Sequence, residues 1–160
     1  WEYDVIDNGY KYNTTDINSA IGLAQLKKLE WMWERRKEVA EKYDEAFKDL
    51  EEVHLYKIKP DRVSAYHLYP LRLNLEALKI NRNQFIELLK EKGIGTSVHF
   101  IPLYRFTYYG ENFDFNTEDF PNSEWIFKRV VSLPIYPSLS KEEQDYIIES
   151  IVSILKENRR

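Results

Sequence analysis

The chain has 160 residues, 43% of them hydrophobic and 15% aromatic, with 23 basic and 27 acidic side chains and a net charge of −4. That is enough apolar residue for one domain with a buried core, and it excludes a disordered chain. The mixed, slightly acidic charge argues against a nucleic-acid surface, the lack of cysteine excludes disulfides and thiolate metal sites, and no apolar run approaches the roughly 18 residues of a membrane span.

The opening stretch Gly9-Tyr10-Lys11-Tyr12-Asn13-Thr14 is polar and runs directly into a helical pattern. Thr15 fits an N-cap, and Asp16 sets a carboxylate in the first turn, where the helix dipole favours it. One long helix is predicted over residues 15–50. Ile17, Ile21, Ala24, Leu26, Leu29, Met32, Trp33, Val39, Ala40, Tyr43 and Phe47 recur at helical spacing, with no proline between them. Trp31, Met32 and Trp33 cannot all face one core on a helix of about 3.6 residues per turn. Two readings stay open: packing within the domain, or an apolar strip that meets another domain or subunit. The basic run Arg35-Arg36-Lys37, flanked by Glu34 and Glu38, reads as an ion-paired helix surface.

Short strands are predicted next. Residues 53–58 alternate apolar and polar, Pro60-Asp61 is a turn, and residues 65–73 form a second strand in which Pro70 suggests an edge or a bulge. Asn81 to Lys92 reads as a helix, with Asn81 and Gln84 as a capping box, Phe85, Leu88 and Leu89 as its apolar stripe, and Gly93 as its stop. Residues 95–100 are a third strand and 101–120 an aromatic, irregular loop. A short helix follows Pro121 to about Arg129, then a strand at Val131 to Pro134. The last helix starts with a capping box of Ser140 and Glu143 and buries Ile147, Ile151, Ile154 and Leu155. Strands and helices mix without regular βαβ alternation, so the predicted class is α+β.

The residues alone give little chemistry. There is no glycine-rich phosphate loop, zinc-protease motif or nucleophile elbow. His54 reads as an exposed strand residue and His67 as a structural histidine in a strand. His99 ends a strand just before a long loop, where a structural and a functional role are both open. The three histidines have no metal-ligand spacing, so no metal site is expected. The aromatic residues of 101–120 either stack on a base or sugar ring, or fold over the core.

A resemblance sharpens this reading. The segment from Gly9 to Leu26 resembles the stretch that follows the cofactor lysine in PLP-dependent sugar-nucleotide aminotransferases of the DegT/DnrJ type. Ala65-Tyr66-His67-Leu68-Tyr69, Leu89 to Phe100, Phe120-Pro121-Asn122-Ser123-Glu124 and Ser132-Leu133-Pro134-Ile135-Tyr136-Pro137 are similar to further motifs of that family, in the same order. Lys11-Tyr12-Asn13, Phe100 and Glu124-Trp125 look most like the branch that makes UDP-4-amino-4-deoxy-L-arabinose.

The resemblance implies the small C-terminal domain of a fold-type I aminotransferase: residues 1–160 as one domain that includes the connecting helix 15–50 and a small, mainly antiparallel sheet with helices packed on it. It implies a PLP enzyme that moves an amino group from glutamate to a 4-keto sugar nucleotide for cell-surface polysaccharide or modified sugars. It implies a cytoplasmic homodimer with shared active sites and no nucleic-acid or membrane partner. Asn13 is expected to reach the PLP phosphate of the partner subunit, and His99 and Phe100 to border the nucleotide sugar. The PLP lysine is expected upstream of Trp1, in a large domain absent from these residues, so no catalytic residue is assigned and this piece alone is expected to be inactive. Lys11 matches a different family position and receives no catalytic role. The alternative is a stand-alone binding, regulatory or dimerisation module with the same fold but no chemistry.

Overall fold

The computed structural model of the chain describes residues 1–160. Six helices are present: α1 (Asp16–Leu26), α2 (Leu29–Phe47), α3 (Arg82–Glu91), α4 (Thr107–Asn112), α5 (Pro121–Phe127) and α6 (Lys141–Glu157). Three strands, β1 (Val53–His54), β2 (Tyr69–Leu73) and β3 (Val130–Leu133), form one antiparallel sheet in the order β1-β2-β3. The α+β class and the small antiparallel sheet with helices on it are as expected.

β2 buries Tyr69, Leu71 and Leu73 and leaves Pro70 and Arg72 half-buried, because successive side chains of a strand point to opposite faces. The first set meets Val53 of β1 and Val131 and Leu133 of β3 in the core. α2 adds Val39, Ala40, Tyr43 and Phe47, α3 adds Phe85 and Leu89, and α6 adds Ile147, Ile151, Ile154 and Leu155. Each buried Val, Leu, Ile or Phe contributes on the order of 1.5–3 kcal/mol relative to an exposed side chain. Both sequence-read capping boxes form, Asn81 with Gln84 and Ser140 with Glu143, and Gly93 takes the positive φ of 75° that ends α3.

The sheet's second face is also covered. Val130 and Ser132 alternate with the core residues of β3, and all four residues of that strand are buried, so both faces are covered. α5 lies on this side. Its Trp125 stacks near His54 of β1 at 5.7 Å and has the guanidinium groups of Arg72 and Arg129 at 5.9 and 4.6 Å from its ring.

Several expected elements are corrected. The helix over 15–50 is two helices, broken at Lys27-Lys28, where the Lys28 N–H turns to the Gln25 carbonyl at 2.9 Å. No proline or glycine marks that break. The strand over 53–58 stops at His54, because the Arg72 guanidinium donates to the carbonyls of His54 and Leu55 that a longer ladder would use. The strand over 65–73 begins only at Tyr69, since Tyr66 has a φ of 48° that no strand tolerates. Residues 95–100 make a single bridge, Ser97 to Ser132, rather than a strand. The loop 101–120 contains a 3-10 turn at Leu103–Arg105, helix α4, and another 3-10 turn at Thr117–Asp119. His67 lies outside any strand and is exposed, and His54 is half-buried against Trp125 rather than exposed.

The basic run is ion-paired as expected: Arg35 pairs with Glu38, and Lys37 with Glu41 at 3.6 Å. Arg35 also donates to the carbonyls of Pro137 and Leu139, both at 3.4 Å, tying α2 to the turn before α6. α1 buries no residue at all. Ile17, Ile21, Leu23, Leu26, Leu29 and Trp31 are exposed, so an apolar strip does run along the start of the helical region. Trp33 is pinned instead, its indole N–H donating to the Ser64 carbonyl at 2.8 Å.

Candidate functional site

Ser132 organises the site. Its N–H donates to the Ser97 carbonyl at 2.8 Å, and its carbonyl accepts from the Ser97 N–H at 3.2 Å. Ser132 therefore directs its main-chain groups away from β2, which is why its register partner Pro70, lacking an N–H, costs no ladder bond there. This pairing holds residues 97–99 against β3. The Ser132 hydroxyl lies 2.9 Å from Nδ1 of His99. His99 is half-buried, and its ring meets the exposed Phe100 edge-on at 4.6 Å.

His99 and Phe100 line the mouth of an open cavity of about 460 Å³. Its walls are largely apolar, with Ile101, Leu103, Ile126, Phe127 and Val130 among them. Two guanidinium groups lie close behind, Arg82 at 5.0 Å and Arg105 at 4.9 Å from the Phe127 ring. The structure thus brings His99 and Phe100 to one cavity. Asn13 is not part of it. It lies in the wholly exposed segment before α1, two residues ahead of Thr15, whose side chain caps the Asn18 N–H at 3.3 Å.

Glu124, on α5 next to the cavity-lining Ser123, anchors a polar cluster. Its carboxylate accepts from the Tyr104 hydroxyl at 3.0 Å and from Arg105 Nε at 2.7 Å, receives a second bond from Arg105, and has Lys128 at 3.6 Å. The Arg105 bonds chiefly, with the Tyr104 bond and the Lys128 charge, hold it down to about 2 against the opposing effect of burial. A depressed carboxylate contributes stability above its unfolded value near 4.5 that is lost as pH falls through the folded value. The urea midpoint of the wild type is therefore expected to lose, between about pH 4.5 and 2, an increment that Glu124→Gln does not lose. Equal acid losses in both proteins would show that the cluster is not held as described.

The Ser132–His99 contact and the Glu124 cluster were not legible from sequence. The signal for Ser132 was present: a lone hydroxyl in the otherwise apolar Val130-Val131-Ser132-Leu133 needs a partner once buried. The aromatic residues of 101–120 stack largely on each other. Tyr104 lies on Phe120 at 4.5 Å and Phe113 on Phe115 at 5.5 Å. No group of three or more His, Asp or Glu side chains is arranged to hold a metal ion, and no helix is long and apolar enough to cross a membrane.

Comparison with known proteins matches the chain to one family. The uncharacterized protein MJ1066 of Methanocaldococcus jannaschii is 48% identical over 159 residues, 99% of this chain and 41% of that protein. The spore coat polysaccharide biosynthesis protein SpsC of Bacillus subtilis is 40% identical over 157 residues, 98% of this chain and 40% of SpsC. Among solved structures, Helicobacter pylori PseC, an aminotransferase involved in the biosynthesis of pseudoaminic acid, aligns with a TM-score of 0.78 at 26% identity, over 98% of this chain and 43% of PseC. The chain spans about two fifths of the length of the curated relatives it matches. Residues 1–152 match the DegT/DnrJ/EryC1/StrS aminotransferase family model, and the chain belongs to that family.

Proposed function

We propose that this chain is the C-terminal small domain of a PLP-dependent aminotransferase that moves an amino group from glutamate to a 4-keto sugar nucleotide, in cytoplasmic biosynthesis of a surface polysaccharide or modified sugar. The observation that carries this reading is the extent of the family match: residues 1–152 take in both the Asn13 segment and the His99 cavity. SpsC, named for spore coat polysaccharide, supports the polysaccharide context. Similarity of Lys11-Tyr12-Asn13, Phe100 and Glu124-Trp125 to the UDP-4-amino-4-deoxy-L-arabinose branch supports that sugar class.

The chain's own residues fit one edge of a cofactor phosphate. Asn13 is exposed and carries a neutral amide with two N–H donors, next to the first turn of α1, where the helix dipole favours an anion. No other side chain of this chain encloses it, which fits a cofactor held mainly by other parts of the enzyme and reached by Asn13 from the partner subunit of a homodimer. When bound, PLP supplies an electron sink for moving an amino group between carbon skeletons. In this reading Asn13 donates to the phosphate, His99 hydrogen-bonds the nucleotide sugar, and Phe100 and the apolar wall exclude water from it. The exposed strip of α1 is covered by the large domain or the partner subunit.

The test uses the full-length protein with PLP, glutamate and a nucleotide-linked 4-keto sugar. Mass spectrometry is expected to show the amino sugar, with one 2-oxoglutarate per turnover. The 160-residue chain alone is expected to give neither, and borohydride treatment with PLP should leave no single lysine fully labelled. Turnover by the chain alone would overturn the domain assignment. Failure of the full-length protein to aminate any such sugar would favour the non-catalytic module.

A further inference from the structure

The hydrogen bond between His99 and Ser132 carries more than proximity. Ser132 is 5% exposed, so its hydroxyl hydrogen has little access to water. The partner found for that hydroxyl is Nδ1 of His99, at 2.9 Å. A hydroxyl has one hydrogen to donate, while a neutral imidazole has one nitrogen that donates and one that accepts. If Nδ1 carried the proton, the hydroxyl would accept it and its own hydrogen would be buried without a partner. Such orphans are rare and costly. Donation from Ser132 to Nδ1 satisfies both groups and places the imidazole proton on Nε2.

The ring is also held in place. Ser97 and Ser132 exchange two main-chain hydrogen bonds two residues before His99, and Phe100 meets the imidazole edge-on at 4.6 Å. His99 lines the cavity while Ser132 does not.

We infer that Ser132 is a positioning residue that acts through His99: it fixes the neutral imidazole as the Nε2–H tautomer and so presents a hydrogen-bond donor, not an acceptor, to an oxygen of the nucleotide-linked sugar. The inference rests on the proposed role of His99 at the substrate. It also narrows that role, because an Nε2–H donor suits a hydroxyl, carbonyl or phosphoryl oxygen and cannot accept from a sugar hydroxyl.

The first test reads the tautomer directly. The chain is labelled with 15N-histidine and long-range proton–nitrogen correlations are recorded at alkaline pH, where imidazole is neutral. The three histidines are separated by comparison with His99→Gln. His99 is expected to show a protonated Nε2 and a bare Nδ1. Ser132→Ala is expected to move the signature toward a tautomer mixture, and Ser132→Thr, which keeps the hydroxyl, to restore it. In the full-length holoenzyme, Ser132→Ala is expected to raise KM for the nucleotide sugar about three- to ten-fold, the size of one neutral hydrogen bond, with kcat changed less. Ser132→Thr should recover most of that loss. A protonated Nδ1 in the wild type overturns the inference. So does an unchanged KM in Ser132→Ala when His99→Gln raises it. If His99→Gln itself leaves KM unchanged, the substrate reading of His99 falls, and the donor role falls with it.

Discussion

Tyr43→Ala is expected to lower the unfolding free energy by about 3–5 kcal/mol, the range for removing a large buried aromatic ring. Tyr43 is fully buried on α2. Its ring stacks on Phe47 at 5.8 Å and tilts against Tyr69 of β2 at 4.9 Å. Its hydroxyl donates to the Pro134 carbonyl at 3.0 Å, just past the end of β3. Burial chiefly pushes the phenol well above the ordinary tyrosine range, which keeps it a neutral donor at neutral pH. One side chain thus joins α2 to two parts of the sheet layer. Tyr43→Phe keeps the ring and orphans the carbonyl, and should cost only about 1 kcal/mol. Urea unfolding of both variants separates packing from hydrogen bonding. A Tyr43→Ala loss as small as that of Tyr43→Phe would mean that the ring does not fill the site described.

If Asn13 makes the proposed contact with the cofactor phosphate, Asn13→Ala in the full-length protein is expected to weaken PLP retention roughly ten-fold or more. A hydrogen bond to a charged group contributes about 1.5–3 kcal/mol, and about 1.4 kcal/mol is a factor of ten. The fold should be untouched, because Asn13 is exposed and touches no core residue. Excess PLP should rescue activity in part. Asn13→Asp should be worse, since it sets a carboxylate against the phosphate. If Asn13 only shapes the turn before α1, both variants bind PLP as the wild type does and Asp carries no special penalty. PLP titration at fixed salt, read by cofactor absorbance, distinguishes these outcomes.

What the sequence revealed depended on how local the cause was. The caps of α3 and α6 are legible because Asn81 with Gln84, and Ser140 with Glu143, satisfy backbone groups within one turn. The strands were overdrawn because their lengths depend on distant side chains. Arg72 takes the carbonyls that would extend β1, and Ser97 meets β3 at one residue only. The gap at Lys27-Lys28 carries no local breaker, and nothing buried on α1 constrains it. His99 and Phe100 were singled out through the order of motifs, and both line one cavity. Ser132 was visible as part of a strand and of a motif but not as a partner of His99, which lies 33 residues earlier in the chain.

The isolation of α1 has a thermodynamic consequence. Isolated helices shorter than about 12–15 residues are marginal in water, and α1 has 11 residues, none of them buried on the rest of the chain. Its opening free energy is then set by its own turns, not by the core. Backbone amides of α1 fall at the fast end of hydrogen exchange, while those of β2, β3 and α6 require global unfolding. The denaturant slope of this chain reports the surface of α2 onward. Any order of α1 beyond its own turns therefore has to come from contacts that cover Ile17, Ile21 and Leu23, and not from the cooperative folding of these 160 residues.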